Sequence, residues 1–226
     1  LAAGEVLNTV TSTKLSDYSI AIDTSAGTTI ALLSLGSVVA EVNYLEPMTH
    51  SERIGSAIQT VLKQGQVSPR EISHVVVGRG PGPFTGLRVG LAAAKFFAIG
   101  ANAELVGVCS LDAIAYSYYL ANPNQSLPLL VTTDARRKEV FWALYTGMSS
   151  GIPTRVEGPS VNKPEYLTEH LSGQEHVLCE LPITASALGQ VAYYQALTDI
   201  GASKDSSPIY LREPDAVPGK AKKVSG

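Results

Sequence analysis

Apolar and polar positions change period several times along the chain, and each change marks an element. Tyr18-Ser19-Ile20-Ala21-Ile22-Asp23-Thr24 is a short apolar run ending in polar residues, the pattern of a buried strand. Thr28–Leu35 and Val38–Tyr44 read as two more strands, and Gly36-Ser37 between them suits a two-residue hairpin with glycine at the first turn position. The period then lengthens. Ile54, Ala57, Ile58, Val61 and Leu62 recur at helical spacing, with the capping-box pattern Thr49-His50-Ser51-Glu52 ahead of them and Gln64-Gly65 behind. Ser68-Pro69-Arg70-Glu71 repeats the capping logic for a short turn. A strand at His74–Gly78, a helix from about Thr85, a strand at Leu105–Val108 and a helix over Ser110–Leu120 follow.

Asn122-Pro123-Asn124-Gln125-Ser126 is a polar linker, and after it the pattern starts again. Leu127–Thr133 reads as a strand, Asp134–Lys138 as a tight turn and Glu139–Tyr145 as its return strand. A strand near Thr154–Val156, a short helix from Lys163, a strand at His176–Cys179 and a helix over Thr184–Ile200 complete the series. Leu188, Val191, Ala192 and Gln195 share one face of that last helix. Hairpin strands followed by helical crossovers predict a layered α/β fold. The similar order of the two series predicts a duplicated unit with the second copy reduced. The expected division is an N-terminal extension over 1–17, a first half over 18–121, a second half over 122–214 and a flexible tail over 215–226.

Composition narrows the function classes. The chain has 226 residues, 45% of them apolar and 16% charged, enough for a substantial core. Its net charge of −3 leaves no basic excess for holding nucleic acid, so a partner would have to supply most of any RNA contact. Cys109 and Cys179 each lie in an apolar run and read as buried thiols, not as a disulfide framework or a zinc site. No apolar run is long enough to predict a membrane span, and Leu1–Ser16 lacks the basic start and apolar core of a signal peptide, so a cytoplasmic location is expected.

The candidate chemistry centres on Gly80-Pro81-Gly82-Pro83-Phe84-Thr85-Gly86-Leu87-Arg88-Val89-Gly90, a strand–loop–helix junction. Free backbone N–H groups at such a junction suit an anion, whereas its glycines equally suit a close-packed surface. The string carries neither the Gly-Lys-Ser/Thr of a Walker loop nor a dinucleotide glycine pattern. Asp23-Thr24-Ser25 stands where a first phosphate turn would be, or simply caps the end of a strand. The candidate nucleotide or anion loop therefore comprises Asp23, Thr24, Ser25, Gly82, Thr85, Gly86 and Arg88, with Arg88 reaching either Asp23 or a loop carbonyl. The second half offers no matching Asp-Gly-Gly turn, because Asp134 is followed by Ala135-Arg136-Arg137. His50 has no second histidine at metal-ligand spacing, and neither His-Glu-x-x-His nor Gly-x-Ser-x-Gly occurs, so metal and protease readings lack residues. Arg136, Arg137 and Lys138 form the one compact basic cluster, read as a solvated turn or as a possible RNA contact at Arg136 and Arg137.

Five strings in order, Ala21-Ile22-Asp23-Thr24-Ser25, His50-Ser51-Glu52, the Gly80–Gly90 run, Asp134-Ala135-Arg136-Arg137-Lys138-Glu139-Val140 and Pro208-Ile209-Tyr210-Leu211-Arg212, resemble the TsaB (YeaZ) family. The resemblance covers about residues 18–214. Pro83 departs from the usual small residue before Phe84, and the segment between Glu175 and Thr184 is shorter than the family's. The resemblance implies an actin-like, sugar-kinase-like fold of two ribonuclease-H-like halves with mixed five-stranded sheets. It implies a non-catalytic scaffold in threonylcarbamoyladenosine formation on tRNA, with a TsaD-like catalytic paralogue and a TsaE-like ATPase as partners and a homodimer when alone. Cofactors are expected only at the level of the complex: ATP or ADP with Mg, and a metal held by the catalytic partner. An ATP-binding kinase or ATPase of the same fold is the alternative. Together with this resemblance, the small residues Gly86, Gly90 and Ala94 at intervals of four, bordered by Ala93 and faced by Gly55 and Gln59 on the preceding helix, predict a helix-pair partner surface.

Overall fold

Two sheets share one plan. In the first, β1 (Tyr18–Asp23), β2 (Thr28–Ser34), β3 (Ser37–Tyr44), β4 (Ile72–Gly78) and β5 (Glu104–Val108) lie in the order β3-β2-β1-β4-β5. The β1–β2 and β2–β3 pairs are antiparallel, and β1–β4 and β4–β5 are parallel. α1 (His50–Gly65) connects β3 to β4, and α2 (Phe84–Ala101) connects β4 to β5. After α3 (Ser110–Ala121) come β6 (Leu129–Asp134), β7 (Val140–Ser149), β8 (Ile152–Asn162), α4 (Pro164–His170), β9 (Val177–Cys179) and α5 (Ala185–Thr198). These strands form the second sheet, β8-β7-β6-β9, with the same directions as the first four strands of the other sheet. The computed structural model describes residues 18–44, 50–198 and 205–212. The capping box at Thr49–Glu52, the extension 1–17 and the tail 215–226 lie outside the described residues and side chains.

Three expectations need correction. The second sheet has four strands among the described residues, not five. Its chain passes from β9 through a short loop directly into α5, and among the described residues α2 and β5 have no counterparts in it. The first hairpin turns at Leu35-Gly36, one residue earlier than expected, with φ of 46° and 78° at the two positions. Both central residues lie in the left-handed region, which matches the right-handed twist of the flanking strands. β8 is an eleven-residue strand where a short one near Thr154–Val156 was expected. It is an edge strand interrupted by Gly158-Pro159 with only Pro153 fully buried, so no apolar alternation betrays its length. The Ser68–Glu71 capping box is formed as expected, with Ser68 N–H donating to Glu71 Oε2 at 2.8 Å.

Strand alternation sorts the core into layers. Ile20, Ile22, Ile30, Leu32, Val75 and Val77 point to one face of the first sheet, where α1 and α2 cover them. Ala21, Ala31, Leu33 and Val76 point to the other face, toward a layer of α3 and α5. Leu129, Val131, Ala143 and Tyr145 of the second sheet close that layer from below, and α4 covers the sheet's far side. The middle helices exchange places. α3 follows the last strand of the first sheet yet packs on the second, while α5 follows the second sheet and packs on the first. The halves are thereby interlaced. Cys109 and Cys179 are free, buried thiols in the middle layer; burial pushes the Cys109 thiol up to about 12.

A polar latch fixes α3 on the second sheet. Asp112 accepts a hydrogen bond from the Tyr145 hydroxyl at 2.7 Å and lies 3.2 Å from Arg155 Nη1. Burial raises the Asp112 carboxyl above the ordinary carboxylate range, while Arg155 and Tyr145 oppose the rise. Replacing Arg155 with Met leaves that carboxyl without its cation. The cost is about 2–3 kcal/mol, below the figure for a fully buried pair because the arginine side chain is 31% exposed. A raised carboxyl pKa favours the folded state at low pH and loses that contribution as pH rises through it. The variant's deficit in urea unfolding should therefore be largest near neutral pH and narrow under acid conditions. A pH-independent deficit would show that Arg155 acts through packing alone.

Candidate functional site

The parallel pairing of β1 with β4 sets their C-terminal ends side by side, Ile22 opposite Val77. Asp23 ends β1, is 1% exposed, and is surrounded by donors. Its Oδ1 accepts from Ser25 N–H at 2.7 Å and Ser25 Oγ at 2.5 Å, and its Oδ2 accepts from Ser110 Oγ at 2.5 Å. Ser110, at the start of α3, also accepts from Gly80 N–H at 3.1 Å, and its own N–H donates to the Gly80 carbonyl at 2.8 Å. One carboxylate thus joins the β1–β2 turn, the β4–α2 loop and the start of α3. Charge-assisted bonds of this kind are about twice as strong as neutral ones.

The glycines of the loop are explained by this junction. A Cβ on Gly78 would overlap the Asp23 carboxylate, and one on Gly90 would overlap the Thr24 hydroxyl. A Cβ on Gly82 would fall 2.7 Å from Ser25 Cβ and 2.8 Å from its carbonyl. Thr24 Oγ1 donates to the Gly86 carbonyl at 2.8 Å, holding the turn against the first turn of α2. The fold therefore brings Asp23, Thr24, Ser25, Gly82 and Gly86 together, but in direct contact. Thr24 and Ser25 fill the space between the two turns. Thr85 and Arg88 point to solvent. Arg88 reaches neither Asp23 nor a loop carbonyl. Its guanidinium lies 3.8 Å from the Phe84 ring centre, and its Nε donates to the Tyr210 hydroxyl at 3.3 Å.

The expected partner stripe is corrected as well. Gly86, Gly90 and Ala94 are buried against their own turn and sheet, because the i, i+4 row of α2 faces inward. Gly55 and Gln59 on α1 are exposed, with open space around Gly55, and Ala93 is half-buried. The outer face of α2 instead presents Ala92, Phe96 at 73% exposure and Ile99 at 68%. α2 also revises the expectation about apolar runs. At 18 residues and a mean hydropathy of 1.3 it is long and apolar enough to cross a membrane by composition alone, yet its inner face covers β4. A helix apolar on both faces has one face more than its own sheet requires. That surplus in Phe96-Phe97-Ala98-Ile99 was the overlooked signal.

A C-terminal strap was also missed. Residues 205–212 cross the edge formed by the strand ends. Asp205 pairs with Arg79 Nη2 at 2.6 Å, Arg79 Nε donates to the Ser207 carbonyl at 2.7 Å, and Ile209 N–H donates to the Arg79 carbonyl at 2.8 Å. Tyr210 stacks on Phe84 with ring centres 4.4 Å apart. Arg212 then reaches the second half, pairing with Glu139 and donating to the Ala135 carbonyl at 2.9 Å. There it holds the β6–β7 turn, where Arg136, Arg137 and Lys138 have φ of 63°, 56° and 60°. Each left-handed residue that is not glycine costs about 1–2 kcal/mol. Arg136 and Arg137 are exposed at this tip. Among the described residues no group of three or more His, Cys, Asp or Glu side chains is placed to hold a metal. His74 is buried between Ser73 Oγ, 2.8 Å from its Nδ1, and Glu104, 3.8 Å from its Nε2; burial lowers its pKa. The side chain of His50 lies outside the described residues.

Comparison with known proteins follows this geometry. A family model described as TsaD, tRNA N6-adenosine threonylcarbamoyltransferase, matches residues 46–207. An uncharacterized protein of Mycobacterium leprae is 36% identical over 211 residues, covering 88% of this chain and 56% of that protein. The Escherichia coli K12 tRNA threonylcarbamoyladenosine biosynthesis protein TsaB is 35% identical over 153 residues, covering 67% of this chain and 65% of that protein. The aligned region thus spans less than two thirds of either relative. The structure of YeaZ from Pseudomonas aeruginosa superposes with a TM-score of 0.73 at 22% identity, covering 86% of this chain and 100% of that one, which establishes the shared fold.

A helix glycine on an open face gains about 1 kcal/mol when changed to alanine. At Gly90 the sign should reverse, because the new Cβ meets Thr24, with a net loss of about 1–2 kcal/mol. In a Thr24→Ala background the loss should shrink by at least about 0.5 kcal/mol, the coupling expected of residues in contact. Urea unfolding of the four proteins measures both numbers. A stabilised Gly90→Ala single variant would mean that this face of α2 is open.

Proposed function

The chain belongs to the TsaB (YeaZ) family, which the TsaD-type family model also covers, and from that premise we propose that it is a non-catalytic subunit acting in threonylcarbamoyladenosine biosynthesis on tRNA. The observation that carries the non-catalytic part is the filled junction at Asp23. An actin-like ATPase needs the acidic residue at the end of its first strand to face a metal–phosphate group across a glycine-rich turn. Here that carboxylate is held by Ser25 and Ser110, and Ser25 lies against Gly82. The kinase-like alternative would require the two turns to separate and the Thr24–Gly86 bond to break.

The proposed partner surface is the outer face of α1 and α2: Gly55 and Gln59 with Ala92, Ala93, Phe96 and Ile99. The proposed occupant is a TsaD-type paralogue. A paralogue of the same fold would carry an equivalent helix pair, which would let the two chains pack pseudo-symmetrically. Exposed apolar surface of this kind is what partner interfaces use. In the absence of the paralogue the same face would serve a homodimer. A TsaE-type ATPase, ATP or ADP with Mg, a metal in the catalytic partner and tRNA belong to the proposed complex, and the location that follows is cytoplasmic.

Co-purification with the TsaD-type protein of the same cell is the direct test. Phe96→Glu should weaken the pairing by at least about 30-fold, as loss of an aromatic anchor at an interface does. Its melting curve should not move, since Phe96 is 73% exposed. Retained co-purification would overturn the surface. Titration of the isolated chain with Mg-ATP should give no tight binding heat, and micromolar binding with turnover would overturn the non-catalytic reading.

A further inference from the structure

We propose that the strap-held tip at Arg136-Arg137-Lys138 is a phosphate-contacting surface for RNA, resting on the tRNA-modification reading above and adding to it the contact this subunit makes. The first observation is charge. Among the described residues, the strap and the tip carry Arg79, Arg88, Arg136, Arg137, Lys138 and Arg212 with three carboxylates, Asp205, Asp134 and Glu139, which pair with Arg79, Arg136 and Arg212. This local cationic excess sits on a chain whose net charge is −3. An anionic partner therefore meets attraction here against the trend of the remaining molecule.

The second observation is independent of charge. All three tip residues occupy left-handed backbone, with φ between 56° and 63°. Asparagine or glycine would turn this hairpin at less cost in backbone strain. Three consecutive cations stand where the backbone favours small residues, so these side chains are not what the turn itself requires. The tip is also held firmly. Asp134 Oδ1 accepts from Arg136 N–H at 2.8 Å, Glu139 N–H donates to the Arg136 carbonyl at 3.0 Å, and Arg212 clamps Ala135 and Glu139 from behind. Arg212 thus holds the base of the turn while Arg136, Arg137 and Lys138 remain exposed in front of it. Two residues along the strap, Tyr210 is 40% exposed and stacks on Phe84, against which Arg88 lies. The basic edge continues there as a planar ring-and-guanidinium surface of the kind on which unpaired bases stack. Spaced cations beside such a surface match a folded RNA's phosphates and loop bases more closely than a protein's acidic side chains.

The test uses the full chain and a labelled RNA anticodon stem-loop, with affinity followed by anisotropy across a salt series. The Arg136→Asn, Arg137→Gly, Lys138→Gly triple variant supplies the residues the backbone prefers. It should melt at the same temperature as the parent or higher, and bind the RNA at least about fivefold more weakly near 0.1 M salt. The slope of log affinity against log salt should become shallower by about 2, the loss of three phosphate contacts. A merely structural turn would leave affinity and slope unchanged, and that result overturns the proposal. Should the triple variant fail to fold, the Arg136→Gln, Arg137→Gln, Lys138→Gln version keeps the backbone demand while removing charge, and the same outcomes apply. Absence of RNA binding by the parent, both alone and with its TsaD-type partner, also overturns the proposal. Equal binding of a duplex DNA would overturn the RNA assignment in favour of a general polyanion surface. Co-purification of the triple variant with the TsaD-type protein separates the two claims. A complex that forms without any tip effect sinks only the RNA surface. A complex that never forms, even from the parent chain, sinks the partner reading and leaves the tip to be judged on RNA binding.

Discussion

The Asp23 carboxylate is the constraint on which the arrangement at the strand ends depends. Buried at the end of β1, it must be met by donors, because an ionised group removed from water without partners is costly. Ser25 and Ser110 meet it, and each brings an element with it. Ser25 folds the β1–β2 turn back over the strand end. Ser110 draws the start of α3 and the Gly80 peptide to the same point. The elements converge so tightly that Gly78, Gly82 and Gly90 have no room for a side chain. A string that looks like a phosphate cradle or a helix–helix contact is in this fold the imprint of a turn packed against a loop.

The same economy of space governs the relation between the halves. Each half sends its last helix to the other's sheet, so neither sheet closes its inner face without the other half. The interlaced layer is bonded at two levels: by Asp112 with Tyr145 and Arg155 inside, and by the strap from Arg79 to Glu139 at the edge. The strap ties the β4–α2 loop to the β6–β7 turn, which opposes separation of the two halves. Among the described residues the second half has no counterparts of α2 and β5 and supplies no second set of glycine turns.

Much of the fold was legible because β1, β2 and β4 alternate strictly between two covered faces and because α1 carries one clean apolar stripe. β8 was not legible, since a partly exposed edge strand broken by Gly158-Pro159 has no pattern to read. The direction in which the small-residue row of α2 faces was misread. Spacing placed Gly86, Gly90 and Ala94 on one face of α2, yet nothing in a spacing says whether that face looks inward or outward. The answer lay in the other face: Phe96 and Ile99 are too apolar for a helix side turned to water, so α2 has two apolar faces and small residues line the inner one. Asp23 was equally ambiguous, because its partner Ser110 lies 87 residues away. The Pro208–Arg212 string was visible as a resemblance, but its role as a strap depends on contacts with Phe84, Arg88 and Glu139 that no local pattern encodes.

α2 connects the two surfaces proposed for this protein. Its first turn carries Phe84 and Arg88 into the basic edge beside Tyr210, while Phe96 and Ile99 lie three turns further on, about 18 Å along the axis. A partner seated on the outer ridge of α1 and α2 therefore leaves the strap and the Arg136–Lys138 tip uncovered, and an RNA on that edge leaves the ridge free. The helix is fixed between them by the inward row of Gly86, Gly90 and Ala94, so the two surfaces stand at a set distance and orientation. On the proposed reading, that fixed relation is what the subunit would contribute: a polyanion at one end of a rigid helix and a paralogous subunit along its flank. The filled junction at Asp23 follows from the same requirement, since a turn free to open for nucleotide would let the N-terminus of α2 move.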